Sequence, residues 1–203
     1  MSFPDFSFEL AAGAGSGKIV AGVDEAGRGP WAGCVVAGAV ILDAKNIPAG
    51  LNDSKKLNAV KRELLYAEIM AKAKTGIGVA SVEEIDKLNI LEATKLAMQR
   101  AVENLGVTPD LALIDGNKAP KLSCQTQTII GGDAKSLSIA AASIIAKVTR
   151  DKMMCELAEK YPEYGWERNA GYGTKIHQQA LAKHGVTEHH RRSYKPIREL
   201  LET

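Results

Sequence analysis

The stretch from Ile19 to Pro30 constrains this chain most. Residues 19–23, Ile-Val-Ala-Gly-Val, form a short apolar run of strand character that ends on two adjacent carboxylates, Asp24 and Glu25. The turn-forming sequence Gly27-Arg28-Gly29 follows at once. A buried strand that ends in acid needs a cation nearby, and a glycine turn lets a backbone approach a bound group closely. Metal ions held by carboxylates, beside a backbone that touches phosphate or sugar, satisfy both demands.

Cys34–Leu42 reads as a second buried strand, rich in valine and isoleucine. Thr75–Val82 is a third candidate, weakened by Gly76 and Gly78. Leu111–Ile114 and Thr126–Ile130 complete the set. Helical spacing over Lys61–Lys74 places Leu64, Leu65, Ile69 and Met70 on one side. Val82–Leu105 reads as one or two helices, stopped by Gly106 and Pro109. A long helix runs from about Ser136 to Lys160, its stripe including Leu137, Ala141, Ile144, Ile145 and Val148. After Tyr161-Pro162 the chain is aromatic and glycine-bearing, then helical and basic. Strands first, then strands alternating with helices, predict an α/β fold: a mixed sheet with helices on both faces and a C-terminal helical cap.

Residues 1–17 read as a flexible N-terminal arm ending in Gly13-Ala14-Gly15-Ser16-Gly17. Gly17-Lys18 invites a phosphate-loop reading, which fails on three counts. The required opening glycine is Ala12, Ile19 stands where Ser or Thr is needed, and the glycines precede a strand rather than follow one.

The chain has 203 residues, 45% hydrophobic and 25% charged, which suits one core with a small appendage. Its net charge of +2 is too small to mark a dedicated nucleic-acid-binding domain. Local clustering must therefore decide the partner. Cys34, Cys124 and Cys155 are widely spaced, which argues against a disulfide framework or zinc site and for a reducing compartment. No apolar run is long enough for a membrane span, and the N-terminus lacks signal-peptide character. These features predict a cytoplasmic protein with no membrane partner.

Three predicted strands lead into acid: Asp24 with Glu25, Asp115, and Asp133 after Gly131-Gly132. Ligands of open α/β sheets bind at the carboxyl ends of strands, so the four acids can converge on one sheet edge. Hard divalent cations suit such an oxygen site, and two of them can drive an in-line phosphodiester displacement. Each acid taken alone also has a local explanation. Asp24 can cap a turn, Asp115-Gly116 is a common turn pair, and Asp133 can cap the helix that follows. Glu25 in a straight strand points away from Asp24, so both serve one site only where the strand ends or twists. The spacing does not identify the reaction.

Val-Asp-Glu-Ala-Gly-Arg-Gly-Pro, residues 23–30, resembles the opening signature of ribonuclease HII, the type 2 ribonuclease H family. Further blocks follow in that family's order: Asp53-Ser54-Lys55-Lys56-Leu57, Ile114–Asn117, Gly132–Ser136, Ala141–Asp151, Gly171-Tyr172-Gly173-Thr174 and His190-Arg191-Arg192-Ser193. The resemblance covers roughly residues 18–198, and the ordered set is far more specific than any one block. It implies a ribonuclease H-like mixed five-stranded sheet, with residues 18–160 as catalytic domain and 161–203 as a helical substrate-binding segment. It implies an endonuclease, acting as a monomer on RNA–DNA hybrid and on DNA duplex containing ribonucleotides. Cleavage falls on the 5′ side of the ribonucleotide and leaves 3′-hydroxyl and 5′-phosphate ends.

The family's metal-binding acids fall on Asp24, Glu25, Asp115 and Asp133, with Mg2+ or Mn2+ as cofactor. Gly27, Arg28, Gly29 and Tyr172 match its elements for sensing a ribonucleotide beside deoxyribonucleotide. The 2′-hydroxyl makes that distinction, and glycine backbone can reach it. Lys55, Lys56, Lys147, Arg191 and Arg192 are the remaining substrate-binding candidates. Lys195 and Arg198 add to the C-terminal basic stripe, while His189 and His190, read as helical neighbours, point apart and share no metal. Ala170 departs from the family, which carries lysine before the Gly-Tyr-Gly; the change bears on affinity more than chemistry. The rivals are a ribonuclease HIII, disfavoured by Arg28 where that enzyme carries lysine, and a non-catalytic nucleic-acid-binding module, which has no use for four acids. A carboxylate-pair glycosidase leaves the lysine-rich blocks unexplained.

Overall fold

The computed structural model describes residues 3–202. Five strands form one sheet in the order β3-β2-β1-β4-β5. Strand β1 spans Val20–Ala26, β2 Val35–Ile41, β3 Lys74–Ala80, β4 Leu111–Asp115 and β5 Gln125–Ile129. The first three strands pair antiparallel, whereas β4 runs parallel to both β1 and β5, giving the mixed sheet that the sequence predicts. The helices are α1 Ser7–Ala11, α2 Ala59–Lys72, α3 Val82–Leu88, α4 Ile90–Glu103, α5 Leu137–Lys160, α6 Trp166–Asn169, α7 Lys175–His184 and α8 Lys195–Leu201.

Side chains of β1 alternate between two cores. Ala21 and Val23 join Ala97, Met98 and Ala101 of α4 on one face. Val20 packs on Ile139 of α5 on the other. Glycine lets the helices approach the sheet. A Cβ added at Gly22 would lie 2.2 Å from the backbone carbon of Ser138, and one at Gly76 or Gly78 would lie 2.0 Å from a carbonyl oxygen of α4. The glycines that weaken β3 as a strand on propensity are what seat α4 against it.

Helix α5 continues past the sheet edge into a third core. Its Met154 and Ala158 pack with Tyr164, Trp166, Leu181 and Ile197 of the C-terminal segment. The division expected after Lys160 therefore runs through a shared core. Between α7 and α8 the chain is not helical: His190 pairs with Ala32 in an isolated bridge, which corrects the helical reading of His189 and His190.

Two further expectations are corrected. On α2, Leu65 and Ile69 are buried, but Leu64 and Met70 are exposed, because a strip one residue wide faces α5 there. The leader is not a loose arm. Residues 7–11 are helical, Asp5 bridges Ser136, and Glu9 is fully buried against the start of α5. Residues 1 and 2 of the expected arm lie outside the described residues.

Candidate active site

Pairing between β1 and β4 stops at Val23 and Ile114. The next residues are Asp24 and Asp115, so the sheet opens between them into a groove of about 280 Å3. Asp24, Glu25, the 26–29 turn, Lys55, Asp115, Lys147 and Tyr172 all line it. Larger hollows, such as one of about 670 Å3 beside Gly106–Pro109, lie away from the acids, so concavity alone does not select the site.

Strand β1 runs on through Glu25, and its alternation holds. Asp24 has the parity of Val20 and faces α5; Glu25 has that of Val23 and faces α4. Both serve one groove because β4 does not pair beyond Val23, leaving both faces open to it. Asp133 sits in the tight turn at 132–134, ahead of α5, and is 6% exposed. Asp115 Oδ1 accepts the amide of Gly132 at 2.7 Å and so ties the second acid-bearing strand to the turn that carries the fourth acid.

The electrostatics record the crowding. Burial, then the charges of Glu25 and Asp115, raises the carboxyl of Asp24 well above the ordinary range. Burial also raises Glu25, with Arg28 opposing, and raises Asp133, with Asp53 and Asp115 adding to it. Two cations sit against the cluster: Lys55 Nζ is 3.4 Å from Asp133 Oδ2, and Arg28 Nη1 is 3.4 Å from Glu25 Oε1. Burial lowers Lys55, but Asp133 and Asp53 outweigh it and the net shift is upward. Among the described residues no three carboxylate, histidine or cysteine side chains close into a ready-made metal cage. The donor set nonetheless fits a hard divalent cation. It is all oxygen, and its mutual repulsion is what a bound cation would relieve.

Two buried arginines with no carboxylate partner among the described residues back the Gly27-Arg28-Gly29 turn: Arg191 bonds its carbonyls, and Arg150 packs against Gly27. Arg191 is 0% exposed and donates to the carbonyls of Gly27, Arg28, Gly33 and Cys34 and to the Tyr194 hydroxyl. Arg150 is 2% exposed and donates to the carbonyls of Ala32, Cys34 and Ala170. Burial lowers the pKa of both. The expectation that Arg191 touches substrate is therefore corrected: its guanidinium is spent on backbone carbonyls. Gly27 takes φ of 98°, and a Cβ there would fall 2.1 Å from Arg150 Nε. Only glycine fits.

Tyr172 is 50% exposed, and its ring edge lies 3.2 Å from the position a Cβ would take on Gly29. Trp31 packs where a Cβ on Gly173 would be, so the chain just after Tyr172 lies directly against its ring. Ala170 adopts a left-handed backbone, φ 48°, and its carbonyl is one of the three that Arg150 holds. Lys147 lines the groove and pairs with Asp151 at 2.7 Å. Lys56 and Arg192 are exposed, and neither lines the groove. The amides of Arg192 and Ser193 are anchored on Asp86. Sequence reasoning missed Arg150, Asp53 and Glu9. Arg150 and Asp53 lie in matched blocks, but nothing in a helical stripe or a turn capped by its own aspartate marks them.

A mixed sheet whose adjacent strand ends share four carboxylates, beside a glycine turn and a tyrosine, defines a nuclease of the ribonuclease H class. The ribonuclease HII family pattern matches residues 21–197. Ribonuclease HII of Ruegeria pomeroyi is 57% identical over 202 residues, covering 99% of this chain and 86% of that one. That of Paracoccus denitrificans is 56% identical over 202 residues, covering 99% and 96%. The crystal structure of ribonuclease H2 from Pyrococcus horikoshii superposes with a TM-score of 0.73 at 30% identity, covering 90% of this chain and 97% of that one. The chain belongs to the ribonuclease HII family and is a type 2 ribonuclease H, an endonuclease of a family that depends on divalent metal.

Proposed function

We propose that this endonuclease cleaves on the 5′ side of a ribonucleotide embedded in duplex DNA, as well as within RNA–DNA hybrid, using Mg2+ or Mn2+. The observation that carries the reading is the placement of Tyr172 over Gly29, on the same groove as Asp24, Glu25 and Asp115. In this reading the Gly27–Gly29 backbone faces the 2′-hydroxyl, while the Tyr172 ring packs on the neighbouring sugar. A 2′-hydroxyl needs both a donor and an acceptor near it, and peptide groups supply both.

Asp24, Glu25, Asp115 and Asp133 are the residues that would hold the ions. Bound divalent metal lowers the pKa of an attacking water and neutralises the leaving oxygen. Lys147 and Lys55 line the groove and receive phosphate oxygens, and Lys56 and Arg192 contact the duplex farther out. Arg28 opposes the upward push of burial on the Glu25 carboxyl without cancelling it. Arg191 clamps the turn through the Gly27 and Arg28 carbonyls and Arg150 packs against Gly27, so little geometry is lost on binding.

The test is cleavage of a labelled DNA duplex carrying one ribonucleotide, beside an all-DNA duplex and a hybrid with several ribonucleotides. The reading predicts a single metal-dependent cut 5′ to the lone ribonucleotide, with 3′-hydroxyl and 5′-phosphate products and the all-DNA duplex intact. Cleavage of the hybrid alone would refute the single-ribonucleotide assignment.

A further inference from the structure

Glu9 precedes residues 21–197, which the ribonuclease HII family pattern matches, yet it is 0% exposed. Its Oε1 accepts the Ser136 hydroxyl at 2.6 Å, the Ser138 amide at 2.8 Å and the Ser138 hydroxyl at 2.6 Å. Its Oε2 is buried with no hydrogen-bond partner among the described residues. A buried carboxylate is costly, but this one caps the first turn of α5, where unpaired amides favour negative charge. Asp5 reinforces the grip: its amide donates to the Lys135 carbonyl and its carbonyl accepts the Leu137 amide, both at 3.1 Å.

The gripped segment carries Asp133. The turn ahead of α5 is closed by the Ser136 amide on the Gly132 carbonyl at 2.8 Å. On the far side of Asp133, Gly132 donates to Asp115 at 2.7 Å. Asp133 thus lies between two anchors, one on Asp115 and one on Glu9. Just beyond, Ser138 rests directly on Gly22, two residues before Asp24.

We propose that Glu9 is a positioning residue for the metal site: it sets the distance between Asp133 and the acids of β1 and β4 by fixing the turn from behind. The proposal rests on the reading of Asp133 as a metal ligand. Supporting groups around metal ligands typically carry about 10-fold or more in affinity.

The test is Mn2+ binding to the nucleic-acid-free protein, followed by electron paramagnetic resonance, with folded fraction checked by circular dichroism. Glu9→Ala should weaken Mn2+ binding about 10-fold. Glu9→Gln, which keeps an acceptor oxygen for Ser138, should recover part of that loss. Leu65→Ala, in the core between α2 and α5, serves as the control: it should lower the melting temperature and leave Mn2+ binding unchanged. Wild-type affinity in both Glu9 variants, or an equal loss in the control, would overturn the positioning role while leaving the metal site intact. A wild-type protein that binds no Mn2+ would overturn the metal reading and this inference together.

Discussion

Arg191 and Arg192 are neighbours in sequence and opposites in environment. One is fully buried and bonded to four backbone carbonyls; the other is exposed, its amide bonded to Asp86. Lysine cannot reproduce a guanidinium fork, so Arg191→Lys should cost about 2–3 kcal/mol of stability, measured by urea denaturation. Its cleavage should fall with the loosening of the Gly27–Gly29 turn. Arg192→Ala should stay within about 0.5 kcal/mol of wild type and weaken only duplex affinity. Equal stability of the two variants would sink the clamp account. The four acids were legible because each sits where an apolar run stops, a signal that one sequence carries. Which of two adjacent arginines turns inward is decided by the 185–194 connection, which has no period to read. Glu9 was equally hidden, since its partners Ser136 and Ser138 lie far along the chain.

At the scale of the elements, the strands and long helices were legible to within a few residues because β-branched runs and 3.6-residue spacing leave direct traces. The leader was not, because a five-residue helix is too short for periodicity and glycine composition argues for looseness. Gly76 and Gly78 were read as flaws in β3, whereas they are contact points. Gly78→Ala should therefore destabilise the protein by about 2 kcal/mol, even though alanine restricts the unfolded chain, because the Cβ meets Ala97 O at 2.0 Å. Thermal or urea unfolding checks this, and a neutral or stabilising result would contradict the packing of α4 on β3. The prediction concerns stability, since neither glycine lines the groove.

At the scale of the whole molecule, a hydrogen-bonded chain within the C-terminal cap runs from Thr187 to the Tyr172 loop that lines the groove. His190 Nδ1 accepts the Thr187 amide, so Nε2 carries the proton toward His177 Nε2 at 3.0 Å. His177 Nδ1 in turn donates to the Tyr172 carbonyl at 3.0 Å. This assignment follows from the bonding network and requires both imidazoles to be neutral. Burial, then the neighbouring His177, lowers His190 from 6.5 to about 4, and burial lowers His177 too. A folded-state pKa below the unfolded value means that the unfolded chain takes up the proton first. The stability contributed above pH 6.5 is thus lost as pH falls toward 4. Melting temperature should drop over this window in wild type and drop less in His190→Gln, the difference isolating His190 from the carboxylates that titrate nearby. Parallel curves would refute the neutral-pair assignment.

The proposed function stands on Asp24 and Glu25 of β1, Asp115 of β4 and Asp133 in the 132–134 turn holding the divalent metal that cleavage requires. Its most direct test is single-turnover cleavage of a ribonucleotide-containing duplex by Asp24→Asn and Asp115→Asn, each shown to be folded, across a Mn2+ titration. Both changes keep side-chain volume and remove charge. The account predicts a loss of at least about 100-fold at saturating Mn2+, with wild type silenced by chelator and restored by added metal. Folded variants that cleave at the wild-type rate would contradict it.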